Sequence, residues 1–109
     1  TRTQMTQNTS SLSFGNLSLN QTSFELSSPS GSYQLTNKEF QLLELLMANP
    51  GQVISSDRLF EKIWGYESDA DPSVIWVYIS YLRKKLTALN ASVRIRAIRN
   101  AGYRLEEIQ

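Results

Sequence analysis

An α+β fold is predicted, with strands first, helices in the middle and a hairpin last, and three observations predict it. Between Leu12 and Leu35 apolar residues alternate in short runs, the period of strands with one buried face. From Leu35 to Leu89 the spacing changes to three and four, the period of helices. From Val93 to Leu105 alternation returns around an Arg-Asn-Ala-Gly turn.

At 109 residues the chain has material for one core but not two. Its formal net charge is only +1, yet the charge is segregated. From Pro72 to Leu105 there are seven Lys or Arg residues and no Asp or Glu. The rest of the chain holds four basic residues and all ten acidic ones. There is no Cys, which excludes disulfides and thiolate metal sites, and no His, which removes the commonest general base and nitrogen ligand. No nucleophile–base pair or metal cluster can be assembled, so no enzyme activity, metal or cofactor is expected. No apolar run approaches the roughly 20 residues of a membrane span, and the first residues lack a signal peptide's apolar stretch. A cytoplasmic location is expected, with no membrane partner.

In order along the chain, Thr1 to Ser11 is polar and Thr/Ser-rich, a linker or frayed terminus. Leu12 and Phe14, Leu17 and Leu19, Phe24 and Leu26, Tyr33 and Leu35 mark three or four antiparallel strands. Gly15-Asn16, Asn20 to Thr22 and Ser27 to Ser32 are the turns between them. Thr36 and Glu39 form a capping box for a first helix, stapled by Leu35 and Phe40 and stopped by Pro50-Gly51. Gln52-Val53-Ile54 is a brief extended link. Ser55 caps a second helix, Ser56 to Trp64, with Gly65 in a left-handed position after it.

Tyr66 to Asp71 is an acidic loop. Asp71 is expected to cap the longest helix, with Pro72 in its first position. Glu67 and Asp69 have no such task, and without His, Cys or a second acidic cluster they suggest a solvated loop rather than a metal site. In the helix from Pro72 to about Leu89, Ile75, Tyr78, Ile79, Leu82, Leu86 and Leu89 share the core face. The opposite face carries Ser73, Val77, Ser80, Tyr81 and Lys84, with Trp76 at its flank and no acid. Aromatic side chains beside basic ones suggest a polyanion whose bases offer methyl groups and flat edges. The alternative is that the sheet or a partner protein covers Trp76 and Tyr81.

After a short turn at Asn90-Ala91-Ser92, Val93 to Ile98 and Tyr103 to Leu105 form a hairpin. Ile95 and Ile98 are three apart, which predicts a bulge. Arg94, Arg96, Arg99 and Arg104 stud it without an interleaved acid. Its plain reading is an edge blunted by charge. A tip bearing Arg99 also suits the negative potential of a minor groove.

Four stretches in this order resemble the effector domain of OmpR/PhoB-type response regulators of bacterial two-component systems. They are LTNKEFQLLELLMANPGQVIS at Leu35 to Ser55, LFEKIWGY at Leu59 to Tyr66, YLRKKL at Tyr81 to Leu86 and IRNAGYRLE at Ile98 to Glu106. The resemblance implies a winged helix-turn-helix at residues 12–107: a four-stranded antiparallel sheet, three helices and a hairpin wing. Residues 1–11 would then be a linker from a receiver domain. It implies sequence-specific binding of double-stranded promoter DNA for transcription regulation, as a homodimer on direct repeats. The helix at 72–89 would enter the major groove and the wing at 93–105 the minor groove.

By the same resemblance, Trp64 and Arg83 lie at phosphate, Arg99 enters the minor groove, Tyr103 bonds phosphate beside it, and the loop holding Glu67, Ser68 and Asp69 contacts RNA polymerase. Family members often carry Arg where Ser73, Ser80 and Tyr81 stand here, Asp at Trp76, and His or a similar polar residue at Tyr78; Asn100 replaces a frequent Gly. A site read by thymine methyls through Val77, Trp76 or Tyr81 is therefore expected rather than one read by guanine forks. The competing reading is a winged helix that docks protein through the same residues.

Overall fold

The computed structural model describes residues 11–65, 69, 71 and 73–108. Four strands come first: β1 (Ser11–Phe14), β2 (Leu17–Asn20), β3 (Glu25–Ser28) and β4 (Gly31–Gln34). They pair antiparallel in chain order. Period two puts Leu17, Leu19 and Leu26 on the buried face. The register lines Ser13, Ser18, Ser27 and Ser32 in a row across the other face. The linker expected at residues 1–11 falls outside the described residues except for Ser11, which already belongs to β1. β4 differs from expectation. All its residues are exposed, Tyr33 included, because it is the sheet's edge strand and no helix covers it.

Helix α1 (Asn37–Ala48) begins as predicted. The Thr36 side chain accepts the Glu39 N–H, and the Glu39 carboxylate accepts the Thr36 N–H. Phe40 stacks on Phe24 at 4.1 Å, which fastens the sheet to the helix and holds Phe24 at φ +63°. Helix α2 (Ser56–Ile63) is capped by Ser55, and Gly65 follows it at φ +78°. α1 is central and touches β1, α2, the helix that follows α2 and the C-terminal hairpin. Leu42, Leu43 and Leu46 of α1 are fully buried.

Helix α3 (Val74–Ala88) starts later than the predicted Pro72, which lies outside the described residues. Asp71 caps the turn ahead of the helix rather than the helix itself, whose N-cap is Ser73 with no side-chain bond: the Asp71 carboxylate accepts the Ser73 N–H at 2.9 Å and its carbonyl accepts the Val74 N–H at 2.9 Å. The α-helical ladder begins only after that turn. Ile75, Ile79, Leu82, Leu86 and Leu89 are buried and Tyr78 is half-buried, so the predicted core face holds. Asn90 ends the helix at φ +53°, and the Ala91 N–H closes back on Leu86.

The wing pairs β5 (Val93–Ile98) with β6 (Gly102–Glu107). Its register runs unbroken from Val93↔Glu107 to Ile98↔Gly102, so the expected bulge is absent. The three-residue spacing of Ile95 and Ile98 arises because Val93 and Ile95 face the core while Ile98 sits where the hairpin leaves it. Asn100 supplies positive φ at the tip, at +62°. The link between α1 and α2 is also part of this sheet: Ile54 and Tyr103 exchange both backbone hydrogen bonds at 2.8 and 2.9 Å.

Candidate nucleic-acid interface

The outward face of α3 is uneven. Ser73 and Lys84 are exposed, Val77 and Ser80 are half-buried, and Ser80 spends its hydroxyl on the Trp76 carbonyl at 3.1 Å. Trp76 is 60% exposed and Tyr81 47%, so neither is covered by the sheet. These six residues share one face, and the helix itself carries no acid; an acidic contact lies at its start, where Asp71 accepts the Ser73 N–H.

Arg83 is placed differently. It is half-buried, and its Nε donates to the Ile95 carbonyl at 3.2 Å, binding α3 to the wing. Lys85, on the other flank, reaches inward to Glu39 at 2.8 Å. Burial opposes ionisation of Glu39, but hydrogen bonds from Lys85 and Thr36 and the lysine's charge outweigh it and hold the carboxyl below its usual range.

Trp64 closes α2. Its N–H is spent on the Phe60 carbonyl, and its ring stacks on Phe60 and meets Tyr78, which in turn meets Tyr81. Lys38 donates to the Ile63 carbonyl at 2.9 Å and sits 5.2 Å from the centroid of the Trp64 ring. The sequence reading missed this chain of rings, because Trp64 and Tyr78 lie on different helices. It also placed Tyr78 with the core alone.

On the wing, Arg99 is exposed at the tip and Tyr103 is half-buried beside the link. The other three arginines are less available than their number implies. Arg94 and Arg104 each donate an Nε–H to Glu106, at 3.0 and 2.8 Å, and Arg96 lies 3.6 Å from the same carboxylate. Burial opposes the ionisation of Glu106, but the arginine bonds and charges prevail and keep its carboxyl below the usual range. The hairpin is therefore not free of acid: β6 runs past the predicted end at Leu105 and takes in Glu106 and Glu107. Counting back from the turn would have revealed it, since Arg94 pairs with Glu106 in register. Asp69 is exposed, while Glu67 and Ser68 lie outside the described residues. Among the described residues no cluster of His, Cys, Asp or Glu is suited to a metal, and no helix is long and apolar enough to cross a membrane.

Known proteins share this arrangement. The family described as transcriptional regulatory protein, C terminal, matches residues 30–105. The heme response regulator HssR of Staphylococcus saprophyticus is 48% identical over 96 residues, which are 88% of this chain and 43% of that protein. The chain thus spans less than half the length of the curated relatives it matches. Among solved structures, the C-terminal domain of the nisin resistance regulator NsrR is 32% identical with a TM-score of 0.74, covering 88% of this chain and 97% of that one. The Klebsiella pneumoniae RstA DNA-binding domain, solved in complex with the RstA box, is 29% identical with a TM-score of 0.73, covering 88% and 96%. A capped three-helix core, a wing stitched to the inter-helix link and these matches together establish that the chain belongs to the OmpR/PhoB-type response-regulator family, as a DNA-binding effector domain of transcription regulation.

Proposed function

We propose that α3 lies in the major groove of promoter DNA and that the wing tip reaches the adjacent minor groove. The observation that supports this best is that α3 carries basic and aromatic side chains and no Asp or Glu of its own, with a further exposed arginine, Arg99, at the wing tip. On this reading Ser73, Trp76, Val77, Ser80 and Tyr81 face base edges. Lys84 meets phosphate, Arg99 enters the minor groove, and Trp64 and Tyr103 lie beside the backbone. Arg83 is a phosphate contact only through the part of its guanidinium that the Ile95 carbonyl leaves over. In the longer protein a receiver domain precedes the linker, two copies bind direct repeats, the loop of Glu67, Ser68 and Asp69 meets RNA polymerase, and the regulator works in the cytoplasm.

Titration of duplex DNA at several salt concentrations tests the placement. Lys84→Ala should weaken all sequences about equally and lower the log–log salt slope by about one. Arg99→Ala should weaken A·T-rich minor-groove sites selectively. Wild-type affinity in both variants would reject these roles. The exposure of Trp76 and Tyr81 favours a second reading, a protein-docking surface. That reading requires no DNA shift and little salt sensitivity.

A further inference from the structure

The following inference rests on α3 being a major-groove helix and concerns one residue on its outward face. Four rings run from the second helix to the surface of the third. Phe60 and Trp64 stack at 5.5 Å and 9°. Tyr78 is tilted 56° against Trp64 at 5.4 Å, and Tyr81 meets Tyr78 edge-on at 5.7 Å and 83°. Lys38 anchors Trp64 from α1. Tyr81 is the last ring of the series and 47% exposed. An exposed aromatic side chain ordinarily loses rotamer freedom on binding. Tyr81 meets a neighbouring ring before any ligand arrives, which reduces that cost. Trp76, more exposed, has no ring contact among the described residues.

A tyrosine cannot make the two-pronged bond by which Arg reads guanine. Its ring is apolar, and among the bases only thymine presents a methyl group in the major groove. We propose that Tyr81 is a specificity-determining residue that packs against a thymine methyl, and that Tyr78 and Trp64 are positioning residues that preset its ring. The reader of this site is then an apolar contact held rigid by aromatic packing.

The test selects duplexes bound by the wild-type chain from a random pool. It then replaces each selected thymine with deoxyuridine, which lacks only the methyl. At one position the replacement should weaken wild-type binding about tenfold, the order of a single mismatch. Tyr81→Ala should bind the unmodified site about tenfold more weakly and be indifferent to that replacement. Tyr78→Leu should behave like Tyr81→Ala there, whereas Tyr78→Phe, which keeps the ring, should behave like the wild type. Circular dichroism checks that each variant is folded. Should Tyr78→Leu not fold, Trp64→Leu, which removes the ring behind Tyr78, serves in its place. A selected site whose deoxyuridine forms all bind normally, or a Tyr81→Ala chain that keeps the wild-type sensitivity, overturns the assignment. Normal sensitivity in Tyr78→Leu or Trp64→Leu overturns the positioning role. A wild-type chain that enriches no duplex overturns the major-groove reading itself, and the Tyr81 proposal with it.

Discussion

Gly102 has no room for a side chain. A Cβ there would collide with the backbone carbonyl of Ile54, and the residue holds φ +145°. Backbone cannot yield as a flexible side chain can, so Gly102→Ala should cost about 2 kcal/mol or more in denaturant unfolding, since it combines strain with a lost link to the wing. Gly65 has φ +78° but nothing within 4 Å, and Gly65→Ala should cost only about 1 kcal/mol. Glu39 offers a pH-dependent counterpart. Folding lowers its pKa from the ordinary 4.5, so its contribution is complete above that value and is lost as pH falls through the lower folded value. Glu39→Gln should lower stability at neutral pH by about 1–3 kcal/mol and show a shallower acid limb, with the two thermal-midpoint curves converging at low pH. Half of this residue's role was legible in the sequence. The capping box lies within four residues, whereas its partner Lys85 is 46 positions away and no local pattern names it.

At the scale of elements, the three helices were legible because caps and apolar periodicity are written locally. The hairpin register was not. Spacing alone suggested a bulge, while the unbroken pairing follows from where the turn begins. The same hairpin shows what links α3 to its wing. Arg83 occupies the Ile95 carbonyl on the strand edge that β6 does not pair. Arg83→Ala should cost about 1 kcal/mol of stability and speed hydrogen exchange of the β5 amides more than those of α1. If β5 and α1 amides accelerate together, Arg83 supports the whole fold rather than the wing. On the outward face of α3, Ser73, Trp76, Tyr81 and Lys84 are exposed and Val77 and Ser80 half-buried, and the order within that face was hidden. Tyr78, on the same helix, meets Tyr81, and behind Tyr78 stands Trp64 from the end of another helix.

Across the whole molecule, the sheet holds the far end of α3. Asn16, in the turn between β1 and β2, accepts the Ser92 N–H at 2.8 Å and donates its side-chain amide to the Asn90 carbonyl at 3.1 Å. Ser28 donates to the Leu89 carbonyl at 2.7 Å. From its alternation the sheet shows only that it has one buried face. These contacts join residues more than 60 positions apart and make it a clamp on the end of one helix in particular. Asn16→Ala should cost about 1 kcal/mol in thermal unfolding, because the groups it leaves behind can turn to water.

The three arginines gathered on Glu106 bear on the ions that surround DNA. A protein cation at phosphate releases condensed counterions, and the entropy of their release drives much of the binding. A guanidinium already facing a carboxylate has less charge to exchange. The wing carries four arginines, but three share one neutralising group, so it should release fewer ions than its composition implies. Glu106→Gln should therefore steepen the dependence of log affinity on log salt, by up to about one ion released, without adding a single contact to DNA.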